Sequence, residues 1–346
     1  MLDSDHSVKQ DIRAQLTTEL RGMLERHSAS GPAHACAPGI AGQPPRARNP
    51  LRACVACEAN ADCAFTHTVR SILVHLLSNI EAAGSADAEG VHQLRVAVRR
   101  LRAALVLFRS KLEPGSHHQY MVGLRRIAGI FGKARDWDVF VLETLAAAEK
   151  GLSQPGRFDL LRKAAEPART IAHRGLRDEV NGLAFARLVL EIADWIEVGA
   201  HTRAPLRNNE ADKPITEIVP ELLDGVLRKV IKRGRNLHGA RSEELHALRK
   251  SIKKLRYSIE FFSSLYPKKR VRAYLRPCKE LQELLGIIND GTVTIALAEE
   301  LGQGGGEDLA AAVGTLMKWT TSRSKRARRH VRKSWSALLS ADPFWR

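Results

Sequence analysis

Two stretches of this sequence space a histidine and a set of cations in the same order. The first holds His92, Arg95, Arg99 and Arg102, and the second His246, Arg249, Lys253 and Arg256, with Lys250 as an additional charge. Steps of three and four residues put such side chains on one face of a helix. On a helical wheel the three cations of the first stretch lie within about 80° of His92. Beside them runs an apolar stripe of Leu94, Val98, Leu101, Leu105 and Phe108. No Asp or Glu occurs between His92 and Ser110, or between His246 and Ile259. A merely solvated face would intersperse carboxylates, because like charges one turn apart cost about 0.2–0.5 kcal/mol per pair. Cations stacked without acids suit a ligand carrying many phosphates, which accepts charge-assisted hydrogen bonds and releases counterions on binding.

Other chemistries find little support. There is no Gly-x-x-x-x-Gly-Lys-Ser/Thr loop, no Gly-x-Gly-x-x-Gly and no His-Glu-x-x-His. No carboxylate pair stands against the basic stretches, so no catalytic constellation is visible and the protein reads as a non-enzyme. The cations around His92 and His246 favour neutral imidazoles, while a bound phosphate would favour the charged form. Cys54-x-x-Cys57 has metal-like spacing, with His34, Cys36, Cys63 and His67 nearby, but a second pair at ligand spacing is missing. These read as incidental thiols, with no metal and no cofactor. The first residues lack a charged-then-apolar leader, and the five cysteines are odd in number and sparse. That combination predicts reduced cytosolic thiols and a cytoplasmic location. No apolar run reaches the ~18 residues that would cross a bilayer.

The elements that position these residues read as helices throughout. Aromatic residues make up only 5% of the 346, and Ala and Leu are abundant, which suits helices better than strands. Periodicity predicts helices near 63–82, 90–112, 117–131, 136–150, 158–178, 182–198, 215–235, 242–265, 269–285, 290–302 and 307–340, the last broken near Gly314. Residues 8–26 have the pattern of a short amphipathic helix. Residues 28–50 are rich in Ser, Gly, Pro and Ala and read as a disordered linker. Residues 201–214 read as a connector.

The two basic stretches belong to an internal repeat. His92 to Arg102 aligns with His246 to Arg256 at an offset of 154, and Phe108, Gly132, Asp136 and Val139 meet Phe262, Gly286, Asp290 and Val293 at the same offset. A single gapless offset over about 48 residues implies two copies of one helical unit, related by a pseudo-twofold axis. The expected division is 1–62 as an N-terminal extension, 63–200 as the first copy and 215–346 as the second.

Charge follows the repeat. The formal net charge is +17, yet residues 1–62 hold seven basic and seven acidic residues. Residues 92–135 carry ten basic and one acidic residue, residues 246–276 the same, and residues 318–346 nine and one. Segregation of this kind is unfavourable without an anionic partner. Further candidates for contact are Arg125 with its counterpart Lys279, Arg135, and Arg326, Arg329 and Lys333 of the terminal helix. Gly132 followed by Asp136, and Gly286 followed by Asp290, read as a helix stop and the cap of the next helix.

Two other polyanion or interface readings compete. A single-strand binder adds aromatics for base stacking, and a groove reader adds Asn or Gln beside its arginines. Tyr257 is the only aromatic within either basic motif, 92–102 or 246–256, or the residue following it, and Gln93 the only amide of that kind. Nucleic acid is therefore less favoured than a ligand without bases. A phasin-like granule scaffold would instead use an exposed apolar helix, for which residues 8–26 are the best candidate.

The paired motifs, VHQLRVAVRRLRAALVLF at 91–108 and LHALRKSIKKLRYSIEFF at 245–262, resemble those of the conserved-histidine α-helical domain, or CHAD, family. GKARDWDV at 132–139 and LQELLGIINDGTV at 281–293 reinforce the resemblance, which spans roughly 63–346. It implies an all-α fold of two four-helix bundles, related by a pseudo-twofold axis around a basic groove or pore. It also implies binding of inorganic polyphosphate and, in some members, association with polyphosphate granules. His92, His246 and the cations after them match the motif positions. Asn289 stands where the first copy has Arg135, so an anion contact is not expected there. The alternating acidic strand of the triphosphate-tunnel domain, to which some members are fused, is not found in this sequence.

Overall fold

Asn60 and Asp87 show how local chemistry starts these helices. The Asn60 side chain accepts from the Cys63 N–H at 2.9 Å, and Asp87 accepts from the Gly90 N–H at 2.8 Å. Each satisfies a backbone donor that the first turn leaves orphaned. The computed structural model describes residues 46–50, 55–111, 117–202, 213–237 and 239–346. The expected helix at 8–26, most of the linker and connector, and His34, Cys36 and Cys54 lie outside the described residues.

The helices, in order, are α1 (Ala61–Leu77), α2 (Ile80–Gly84), α3 (Ala88–Leu107), α4 (His118–Asp138), α5 (Leu145–Leu152), α6 (Asp159–Asn181), α7 (Leu183–Thr202), α8 (Ile215–Gly234), α9 (Ser242–Phe261), α10 (Lys268–Gly302) and α11 (Glu307–Leu339). A single wide π turn, Val139–Thr144, joins α4 to α5. The fold is all-α, with no strand among the described residues.

The internal repeat is visible in these bounds. Both α3 and α9 are 20 residues long, and they begin and end 154 residues apart, as do the starts of α1 and α8. The stripe of Leu94, Val98, Leu101, Leu105 and Phe108 is at most 1% exposed. Leu248, Ile252, Leu255, Ile259 and Phe262, its counterpart, is wholly buried. The offset then drifts. Phe140 and Thr294 are buried 154 apart, but beyond the π turn Leu145 matches Ala298 at 153, because that turn takes up one extra residue. In the last shared helix, Leu161, Ala165, Ala172, Leu176 and Val180 of α6 match the buried Leu316, Thr320, Ala327, Val331 and Trp335 of α11 at 155.

Several expected boundaries are corrected. No stop occurs at Gly132 or Gly286: α4 continues to Asp138, and α10 runs unbroken from Lys268 to Gly302. Neither Asp136 nor Asp290 is therefore a cap. A mid-helix glycine costs about 0.5–1 kcal/mol, and here packing across the helix offsets it. Likewise α11 passes through Gly314 without a break, while the span 63–82 divides into α1 and α2.

By contacts, the described chain separates into two compact units. One takes the residues through Arg135 together with Ala172–Ile218, and the other takes Asp136–Ile171 together with Val219–Arg346. In the first unit α3 packs against α1 and α2, and Phe65 meets Phe108 edge-on at 5.3 Å. In the second, α10 packs along α11 and against α9. Its Asp138, fully buried, is neutralised by Arg169 at 2.9 Å.

Candidate polyanion-binding surfaces

In the first unit, the buried stripe of α3 fixes where its cations go. With Leu94, Val98 and Leu101 in the core, His92, Arg95, Arg99 and Arg102 emerge half-buried along the margin of the helix. Gly132 of α4 is buried, and a Cβ there would stand 4.0 Å from the Arg95 guanidinium. The glycine thus lines the seat of this arginine. Arg135 is half-buried on the same helix.

Arg102 is the least compensated cation of this unit. It makes no hydrogen bond or ion pair among the described residues, and its Nε is buried without a partner. Burial, and then the charge of Arg125, hold its pKa below the ordinary arginine value. Arg125 is exposed, and it too has no carboxylate partner among the described residues. The adjacent Arg126, in contrast, donates to Glu179 at 2.6 Å. A half-buried guanidinium without a counter-ion, under the charge of a second arginine, is unfavourable in the free protein, and an anion relieves it.

Gln93 does not face outward. It is buried, donating to Glu89 at 2.6 Å and Asn49 at 3.2 Å and accepting from His75. The one amide placed to read base edges is thereby used inside the fold. Arg100 is buried as well, unlike its exposed counterpart Lys254.

In the second unit the equivalent helix, α9, carries His246, Arg249, Lys253 and Arg256 half-buried, with Lys250 exposed. Here the cations are tied into a network with α10. Arg249 donates to Asp290 Oδ1 at 3.4 Å, and Asn289 Nδ2 donates to the same oxygen at 3.1 Å. The Asn289 carbonyl in turn accepts from His246 Nδ1. Donation from Nδ1–H fixes the tautomer and leaves Nε2 as the outward nitrogen. Asn289 breaks the cationic pattern in sequence, yet it orients the motif histidine. Asp290, which reads as a cap in sequence, is the partner of Arg249. Gly286 lies against the Arg249 guanidinium, where a Cβ would stand 3.9 Å from it, as Gly132 does against Arg95.

Burial lowers the pKa of His246, and Lys250, Arg249 and Lys253 lower it further, while the Asn289 bond raises it. The sequence-based expectation of a neutral imidazole agrees in direction, but burial rather than the cations is the largest cause. Arg256 donates to Glu260 at 2.9 Å and to Gln282 at 3.0 Å, and lies over the Tyr257 ring at 4.7 Å. Glu260 sits just past the acid-free stretch, at the i+4 position that a compensated helix uses. Lys279 is exposed on α10.

The terminal cations Arg326, Arg329 and Lys333 are all exposed on α11. Arg326 lines a cavity with Trp319 and Arg323. Arg328 is used differently, donating to the Ala240 carbonyl at 3.0 Å. Among the described residues no group of three or more His, Cys, Asp or Glu is placed to hold a metal ion, and no helix is long and apolar enough to cross a membrane.

Known proteins share this fold. The profile of the CHAD domain family matches residues 67–299. A crystal structure of the CHAD domain from the plant Ricinus communis superposes with a TM-score of 0.69 at 26% identity, covering 85% of this chain and 98% of that one. PptA from Streptomyces chartreusis superposes with a TM-score of 0.61 at 17% identity, over 80% of this chain and 100% of that one, a likeness of fold alone. An uncharacterized protein of Mycobacterium tuberculosis is 26% identical over 201 residues, which are 56% of this chain and 38% of that protein's length.

Proposed function

The chain belongs to the CHAD domain family, and from that premise we propose that it is a non-catalytic binder of inorganic polyphosphate. The contacts are the basic faces of α3 and α9, the tandem copies at 63–200 and 215–346 each supplying one. The observation that carries this reading is Arg102, half-buried on α3 with its Nε buried and no hydrogen bond or ion pair among the described residues. The seating of Arg95 and Arg249 against Gly132 and Gly286 supports it, because the same arginine is positioned in the same way in both copies. Association with polyphosphate granules in the cytoplasm follows as the cellular role.

A chain of phosphates has no bases to stack or read. Helices α3 and α9 offer neither an aromatic platform nor a free amide, since Tyr257 is 3% exposed and Gln93 is 5% exposed. Both facts weigh against nucleic acid.

The test is a competition titration at about 150 mM salt, where surface electrostatics are screened beyond about 8 Å. Long-chain polyphosphate is set against single-stranded RNA and duplex DNA at equal phosphate concentration. The proposal expects polyphosphate to win by at least about tenfold, or ~1.4 kcal/mol. Equal or tighter binding of the nucleic acids overturns the ligand assignment.

A further inference from the structure

The second unit holds a cavity of about 610 Å³ that shares only Arg326 with the residues read above as polyphosphate contacts. It lies between the end of α5 and the middle of α11. Its floor is formed by Leu152 and the Trp319 indole, and its rim by Lys318, Arg323 and Arg326, with no carboxylate among the lining residues. Thr315 and Ser322 also line it. The size falls within the usual range of small-molecule sites, roughly 300–1,000 Å³.

The indole is held in place. A Cβ on Gly151 would stand 2.7 Å from Trp319 Nε1, so the ring is packed directly against the last turn of α5. Above it the Arg323 guanidinium lies 5.3 Å from the ring centroid, within cation–π range. Thr315 donates to the Ala311 carbonyl at 2.8 Å, which leaves its oxygen as an acceptor.

This composition is not a requirement of the helix. At the offset of 155 that aligns the buried faces of α6 and α11, Trp319, Arg323 and Arg326 correspond to Ala164, Ala168 and Ile171, and Thr315 and Ser322 to Leu160 and Pro167. Leu160 and Ile171 are exposed in the first copy. Only the cation at Lys318 is kept in the first copy, as the exposed Lys163; the rest of this face is apolar there, and aromatic, cationic and hydroxyl-bearing in the second copy. An inorganic phosphate chain gains nothing from an indole floor and a leucine. A ligand that joins an aromatic ring to phosphates uses every part of the cavity.

We propose that the cavity between α5 and α11 binds a nucleoside polyphosphate, its base taking the place of the Arg323 guanidinium over the Trp319 ring and its phosphates held by Lys318, Arg326 and the displaced Arg323. Stacking on an aromatic face tolerates any base, and the three cations supply charge-assisted hydrogen bonds to phosphate. None of the lining residues is a motif cation of α3 or α9, so this inference does not rest on the basic faces proposed above.

The experiment is calorimetric titration of the full chain with ATP and, separately, with inorganic tripolyphosphate, which has a similar charge and no base. ATP is expected to bind at least about tenfold more tightly. That advantage should disappear in Trp319→Leu and persist in Trp319→Phe, which keeps an aromatic face. Arg326→Gln should weaken both ligands. Equal affinity of the two ligands for the unaltered protein overturns the proposal, as does an ATP advantage that survives Trp319→Leu. If Trp319→Leu unfolds, Lys318→Gln, an exposed position on the rim, replaces it: ATP affinity must fall, and an unchanged affinity overturns the proposal. Long-chain polyphosphate is titrated into the same variants. Unaltered binding of polyphosphate by Trp319→Leu supports separate sites, and an equal loss of both ligands overturns the separation.

Discussion

Arg256 donates to Glu260 at 2.9 Å, one turn further along α9, whereas Arg102, its counterpart in α3, has Val106 at that position. The two copies therefore present the same arginine in different electrostatic states. One is compensated inside its own helix, and the other is half-buried without a carboxylate partner among the described residues, under the charge of Arg125. This asymmetry divides the motif cations into those that hold the fold together and those left for a ligand.

Replacing Arg102 by Gln should weaken polyphosphate binding and lower the slope of log affinity against log salt by about one. It should leave stability unchanged or slightly raised, since it removes a repulsion. Arg256→Gln should act the other way round, destabilising the second unit by up to about 1 kcal/mol through loss of the Glu260 pair and the Tyr257 contact. Salt-dependent titrations and denaturant unfolding of both variants separate the two roles.

His246 gives binding a pH dependence of defined sign. Its pKa in the free protein lies below the ordinary histidine value, chiefly through burial. An approaching polyanion favours the charged imidazole, so binding takes up a proton and affinity should rise as pH falls from 8 toward 5.5. His246→Gln should flatten that rise. Asn289→Ala removes the bond that raises the pKa, and should move the rise to lower pH. A flat profile for the unaltered protein would show that His246 does not face the anion.

His75 should make the first unit acid-sensitive. It is buried, its Nε2–H donates to the Arg48 carbonyl and to Gln93 Oε1, each at 3.1 Å, and its pKa is lowered to about 4, by burial first and Arg100 second. The unfolded chain takes up a proton near the ordinary value of 6.5, while the folded chain resists until about 4. Stability is thus fully present above about 6.5 and declines as pH falls toward 4, by about 3 kcal/mol in total. Denaturant midpoints at pH 7 and pH 4.5 should differ less in His75→Gln than in the unaltered protein.

Gly90 is a packing requirement. A Cβ there would stand 2.6 Å from the Ala83 backbone nitrogen and 2.8 Å from the Ala82 carbonyl carbon. No rotamer change relieves contact with backbone, so Gly90→Ala should destabilise by about 1–3 kcal/mol. Gly129→Ala, in the interior of α4 with nothing within 4 Å, should instead stabilise by about 0.5–1 kcal/mol. Thermal unfolding of the pair checks both signs.

Much of the fold is legible from periodicity. The stripe from Leu94 to Phe108 and its counterpart from Leu248 to Phe262 are buried as their spacing requires, because burying apolar surface dominates helix placement. The motif cations consequently emerge along the margins of α3 and α9. The roles of Gly132 and Gly286 are not legible in this way. A glycine followed by an aspartate looks the same in sequence whether it ends a helix or admits an arginine from a neighbouring one. The π turn at Val139–Thr144 carries no local signature either, and shows itself only as the shift in offset of the buried residues.

The sequence by itself determined which faces are apolar, that the helical unit occurs twice, and where positive charge accumulates, since each depends on neighbours three or four residues away. Only the tertiary structure decided how the cations are partnered across helices. Arg249 meets Asp290 from 41 residues away, and Arg256 meets Gln282 from 26. Such pairs depend on the register of one helix against another, which core packing sets and no local spacing encodes. The cavity beneath Trp319 arises in the same way, from a glycine at the end of α5 that lets an indole from α11 lie against it.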